Sequence, residues 1–81
     1  MTYYFHTDPG HGWLAVKKTE VKRLGIEVSE YSYQKGDTVY LEEDMDAVSF
    51  FMAKKALGEE VSFKESYQEN TPIRNYARYS A

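Results

Sequence analysis

Two imidazoles and a carboxylate fall within six residues, in His6-Thr7-Asp8-Pro9-Gly10-His11, and Gly12-Trp13 follows them. Imidazole and carboxylate groups are ligands for zinc or iron, and a loop rich in glycine and proline bends easily enough to bring them together. A catalytic centre needs at least three ligands and an open position, and any further ligand here must come from carboxylates elsewhere in the chain. The other account of the same residues is a tight turn that positions Trp13, with His11 a polar surface group. On these terms no metal and no cofactor is expected, and the alternatives to a binding module are a small metal-dependent enzyme using His6, Asp8 and His11 and an oligomerising accessory or structural protein.

Other catalytic chemistry has less to work with. The chain has no cysteine, no glycine loop of the phosphate-cradling kind, no G-x-S-x-G and no H-E-x-x-H. A paired-carboxylate hydrolase needs a cleft, and a domain of 81 residues rarely encloses the ~300 Å³ of a small-molecule site. The expectation is a non-enzymatic protein.

Two charged clusters suit binding better. Glu42, Glu43, Asp44 and Asp46 sit within five residues. Such a patch can imitate phosphates or dock on a basic groove, and it can equally be a helix start, where acids are stabilised by the macrodipole. At the other end, Arg74, Tyr76, Arg78 and Tyr79 are of the types enriched at interface hot spots. The same residues also suit an edge strand whose arginines repel other chains. Lys17, Lys18, Lys22 and Arg23 form a basic cluster, read as a solvated helix face and a candidate ion-pair partner of the acidic turn.

The elements that must position these groups follow from turns and periodicity. Thr2–His6 is β-prone and ends at Thr7-Asp8-Pro9-Gly10. Trp13–Val16 resumes an apolar run, giving a hairpin. Thr19 is placed as the N-cap of a short helix stopped by Gly25, with Val21 and Leu24 on one face and Ile26 beyond. Tyr31-Ser32-Tyr33 and Thr38–Leu41 flank Gln34-Lys35-Gly36-Asp37, a second hairpin in which Val39 and Leu41 face away from Thr38 and Tyr40. Asp44 is expected to cap a helix running to Leu57 and stopped by Gly58, with Val48, Phe51, Met52 and Ala56 packed on the sheet. Val61–Glu65 alternates like a strand, Gln68–Pro72 is a loop, and Ile73–Tyr79 reads as a last edge strand or an extended arm. The order is β-β-α-β-β-α-β, with a possible final strand. The fold class is α+β, a small curved antiparallel sheet with two helices, in one domain over residues 1–81.

Composition bounds the setting. Net charge is −3, so direct nucleic-acid binding through lysine and arginine is not expected. The absence of cysteine suits a reducing cytoplasm. The first residues lack a signal-peptide pattern and no apolar run approaches a membrane span, so no membrane partner is expected. Thirteen aromatic residues, eight of them tyrosine, are many for so polar a chain. Tyrosine serves thin cores and binding surfaces alike.

His11-Gly12-Trp13-Leu14, Tyr31-Ser32-Tyr33, the run Gly36-Asp37-Thr38-Val39-Tyr40-Leu41-Glu42-Glu43-Asp44, and Pro72-Ile73-Arg74-Asn75-Tyr76 together resemble a family of short phage- and plasmid-borne proteins, over most of the chain. That family brings no established activity and no site residues. The resemblance implies a mobile-element context, in which small acidic proteins often inhibit host machinery, anti-CRISPR and other anti-defence proteins among them. The expected partner is then a host protein or protein–nucleic-acid complex. The expected contacts are Glu42, Glu43, Asp44, Asp46, Arg74, Tyr76, Arg78 and Tyr79.

Overall fold

A computed structural model describes residues 2–80. β1 (Thr2–Thr7) and β2 (Gly12–Lys17) form the first hairpin, and α1 (Lys18–Leu24) follows β2 without a loop. β3 (Tyr33–Lys35) and β4 (Thr38–Glu42) form the second hairpin. α2 (Asp46–Ala56), β5 (Ser62–Tyr67), a 3-10 turn at Pro72–Asn75 and β6 (Ala77–Arg78) complete the chain. The six strands make one sheet in the order β5-β1-β2-β4-β3-β6, so the class is α+β as expected.

One pairing is not antiparallel. β4 runs with β1, because each is antiparallel to β2. α2 carries the chain back along the sheet, and β5 therefore enters in the direction of β4 and pairs with β1 in parallel. A crossover containing a helix is what a parallel pair requires, and the sheet is consequently mixed.

Alternation sorts the residues into two faces. Tyr3, Leu14, Val16, Val39 and Leu41 share the side that meets Val21 of α1 and Ala47 and Phe50 of α2, and these eight form the main core. Val39 and Leu41 face this core as alternation predicted, and Leu24 and Ile26 pack half-buried against it. Gly36, at φ 59°, takes the first central position of the β3–β4 turn, where a left-handed residue matches the strand twist. Gly58, at φ 72°, ends α2 as expected, with its N–H on the Lys55 carbonyl and that of Glu59 on the Lys54 carbonyl.

α2 corrects the sequence reading in three ways. It starts at Asp46, with Met45 and not Asp44 in the cap position, and the cap comes from Glu42, whose Oε1 accepts the N–H groups of Met45 and Asp46. Its sheet-facing stripe is Ala47, Phe50 and Lys54. Of the expected stripe, Val48 and Met52 are exposed and Phe51 is half-buried at the sheet margin. α2 is apolar on more than one side, so periodicity alone did not choose between adjacent stripes.

Lys54 occupies a core position because its charge is met there. Its Nζ lies 2.9 Å from Glu20 Oε1 and 2.9 Å from Glu59 Oε1, and the Tyr3 hydroxyl donates to the same Glu20 oxygen. Of the basic cluster, Arg23 binds Glu20 and Glu59 in this corner and not the acidic turn. Two smaller expectations also change. Thr19 lies inside α1, which Lys17 precedes as the cap residue. Ile73–Asn75 is a 3-10 turn and no strand, because the Thr71 hydroxyl accepts the Ile73 N–H and Pro72 holds the first position, leaving only Ala77–Arg78 to pair with β3.

Candidate functional site

The second face of the sheet has no helix on it. Cross-strand register puts Tyr4, Ala15, Tyr40, Tyr33 and Arg78 in one row and His6, Trp13 and Glu42 in the next. The C-terminal segment lies over these rows. The Arg74 guanidinium is 5.4 Å from the centre of the Trp13 ring, and Tyr76 meets Tyr40 with ring centres 5.2 Å apart. Trp13 is thereby 1% exposed although it faces away from the helices, and Ile73 is 3% exposed.

The loop after β1 sets this arrangement. The Asp8 carboxylate accepts the N–H groups of Gly10 and His11, and the Asp8 N–H reaches the His11 carbonyl, closing a tight turn. Both Asp8 oxygens also take Arg74, Oδ2 from Nε at 2.7 Å and Oδ1 from Nη2 at 3.0 Å. Arg74 holds this carboxyl well below the usual carboxylate range, and the two backbone donors add to the effect. An Asp8 so committed is a structural anchor. His6 faces Tyr40, with ring centres 5.9 Å apart, and burial lowers its pKa, while the His11 ring turns to Trp13. No cluster of three or more residues able to hold a metal occurs among the described residues. Gly12 is needed at the end of the loop, since a β-carbon there would collide with the Phe5 ring.

A concavity of about 280 Å³ opens beside Trp13. It is lined by Glu42, Glu43 and Asp44 of the acidic turn, by Arg74 and Arg78, by Tyr31 and Tyr33, and by the loop residues His11 and Gly12. Parts of the two clusters that the sequence placed 30 residues apart thus line one hollow. The arginines are already engaged, Arg74 with Asp8 and Trp13, Arg78 with the Glu30 carbonyl and over Tyr33 at 5.0 Å. Glu42 is spent on the start of α2. Glu43 and Asp44 are exposed and have no ion-pair partner among the described residues.

Three expected contact residues lie elsewhere. Asp46 is 3% exposed; its Oδ2 accepts the N–H and hydroxyl of Ser29 and, at short range, the hydroxyl of Ser32. It fastens the segment before β3 to α2 and is not open to a partner. Tyr79 packs against the helix-side core, and its N–H bonds the Ser32 carbonyl. Tyr76 lines a separate hollow of about 150 Å³ with His6, Tyr40 and Ile73. Sequence reasoning passed over Trp13, Tyr31 and Tyr33 as lining residues, although Tyr31-Ser32-Tyr33 was visible as an aromatic pair. It did not foresee that Ser32 would turn inward to Asp46 and leave Tyr31 64% exposed at the rim.

No family model, no curated protein and no solved structure matches this chain. No helix among the described residues is long and apolar enough to cross a membrane.

Proposed function

We propose that the chain is a non-enzymatic protein-binding module whose docking site is the hollow between the acidic turn and the C-terminal arginines, and that it takes a basic segment of its partner there. The observation that carries this reading is that Glu43 and Asp44 line the hollow, beside Trp13, Tyr31 and Tyr33, with no ion-pair partner among the described residues, while Asp8 neutralises Arg74 and the Arg78 guanidinium is turned to the Glu30 carbonyl. A lysine or arginine entering there meets two free carboxylates and the Tyr31 ring, and complementary charge of this kind steers encounter and fixes register. The resemblance to phage- and plasmid-borne proteins makes the partner most concretely a host nucleic-acid-processing or defence complex, whose basic groove the acidic turn would occupy as a stoichiometric inhibitor.

The test is capture from host lysate by the wild-type chain and by the Glu43→Lys, Asp44→Lys double variant, after nuclease treatment and with circular dichroism showing both folded. A stoichiometric protein partner held by the wild type and lost by the variant supports the reading. A partner retained by both sinks the site, and capture that vanishes with nuclease replaces a protein partner by nucleic acid.

A further inference from the structure

On the face of the sheet away from the helices, register sets Lys64, Tyr4, Ala15 and Tyr40 side by side on four neighbouring strands, and Lys17, Thr38 and Lys35 in the next row. Three of these residues are lysine and none is an acid. Lys17, Lys35 and Lys64 are exposed and have no ion-pair partner among the described residues. Acids are concentrated elsewhere: Glu20 and Glu59 are in the Lys54 corner, Asp8 is under Arg74, and Glu43 and Asp44 are beside Trp13. Asp37, next to Thr38, has Lys18 beside it, whose N–H meets its carbonyl. The net charge of −3 is an average over a surface that is basic in these two rows.

Between the lysines the surface is aromatic. Ring centres lie 6.4 Å apart from Tyr4 to His6, 5.9 Å from His6 to Tyr40 and 5.2 Å from Tyr40 to Tyr76, and Lys35 Nζ is 4.9 Å from the centre of the Tyr76 ring. Tyr4 is 55% exposed. Beside it the row drops to the methyl group of Ala15, and a hollow of about 190 Å³ opens there, bordered by Thr2, Lys17 and Thr38. Tyr4 and Tyr40 stand on the strands either side of β2, about 10 Å apart, which leaves room for a flat ring over Ala15.

We propose that these rows bind a single-stranded nucleic acid, with one base over Ala15 against the Tyr4 ring and phosphates at Lys17, Lys35 and Lys64. Every base has a face that stacks on an aromatic ring, and lysines beside such rings track the backbone. The spacing favours a strand over a free nucleotide. Lys64 on β5 and Lys35 on β3 are four strand spacings apart, about 19 Å, wider than the phosphates of one nucleotide span. The rings favour a single strand over a duplex, whose bases are stacked on one another and offer no free face. An acidic peptide would meet the lysines but brings no flat ring to the hollow. Tyr4, Lys17, Lys35 and Lys64 take no part in the hollow beside Trp13, so the two proposals fail independently.

Fluorescence anisotropy of short labelled DNA and RNA oligonucleotides of mixed sequence, titrated with the full chain at low salt, tests this. At least one of the two should bind, and at least tenfold more tightly than its duplex. The logarithm of affinity should fall against the logarithm of salt with a slope of about −2, the value for three phosphates neutralised on a single strand. Lys64→Gln and Lys35→Gln should each reduce that slope by about 0.7. Tyr4→Ala should weaken binding about fivefold or more, and Ala15→Leu, which fills the hollow, should do the same, with circular dichroism showing both folded. Glu43→Lys with Asp44→Lys should not weaken it. A chain that binds neither strand, or binds duplex equally well, overturns the proposal. So does an affinity indifferent to Tyr4→Ala and Ala15→Leu, or equal competition by polyglutamate, which would make the rows an anion patch only.

Discussion

The two faces of the sheet are stabilised by different means. On the helix side, Leu14, Val39, Leu41 and Phe50 are at 0% exposure and pack apolar on apolar, with the Lys54, Glu20 and Glu59 pairs at one corner. On the other side, burial of Trp13 depends on one arginine held by one carboxylate, and most remaining contacts are between half-exposed rings and cations. Apolar packing is insensitive to small displacements of charge and sets global stability. A polar cover over a single large ring is specific in geometry but contributes less, and it can be altered without dissolving the core. The hollow beside Trp13 therefore sits on the face that tolerates rearrangement, while the helix side acts as its rigid backing.

The largest expected effect tests the helix side. Phe50→Ala should cost roughly 3–5 kcal/mol in denaturant unfolding, as for a fully buried aromatic ring. Met52→Ala, on the outward side of the same helix, should stay within about 0.5 kcal/mol for the monomer. Phe51→Ala should fall between them. Equal losses at positions 50 and 52 would break the assignment of faces.

A smaller effect is the loss of the carboxylate pairs in acid, at Glu59 and Glu20 on the helix side and at Asp8 on the other. On the helix side, Arg23 and then Lys54 bring the Glu59 carboxyl down from 4.5 to about 2, and Lys54 lowers that of Glu20. A carboxyl whose folded pKa is depressed contributes stability that is complete above its unfolded value and disappears as pH falls toward its folded value. The denaturation midpoint should decline slightly as pH falls through about 6.5, where unfolded His6 takes a proton that its buried folded ring resists, and fall again between about 4.5 and about 2. Glu59→Gln should flatten part of the second slope, and His6→Ala should remove the first. A midpoint that does not fall below about pH 4.5 would contradict the ion-pair account.

What the sequence revealed follows the range of the interactions. The β-strand alternation of Val39 and Leu41, the Gly36-Asp37 turn and the Gly58 stop depend on neighbours a few residues away and were readable. The acids and arginines beside Trp13 were readable as types but not as the lining of one hollow. Lys54 reads as a surface residue, and only Glu20 from α1 and Glu59 beyond the helix end make it a core one. Asp46 reads as a helix-start acid, and only Ser29 and Ser32 make it a buried fastener. The 3-10 turn at Pro72 did carry a local signal, Thr71-Pro72, but the alternation of Ile73–Tyr79 outweighed it in the sequence reading.

Arg74→Ala should cost far less global stability than Phe50→Ala, and it is the sharpest probe of the second face. Trp13 is the chain's one tryptophan, so its emission reports this face alone. Without Arg74 the ring loses its cover and Asp8 loses its cation, while the Asp8 bonds to Gly10 and His11 remain to hold the turn. Emission should therefore shift to the red at pH 7 while the melting temperature falls by only a few degrees. The Asp8 carboxyl, no longer held down by Arg74, should titrate nearer the ordinary aspartate value of 3.8. Lysine keeps the charge but lacks the planar fork that binds both Asp8 oxygens, so Arg74→Lys should retain part of the pKa depression and still expose the ring. If Arg74→Ala instead lowers stability as much as Phe50→Ala, the second face is no adaptable cover but an equal part of the core. The division between a rigid backing and a binding face would then fall.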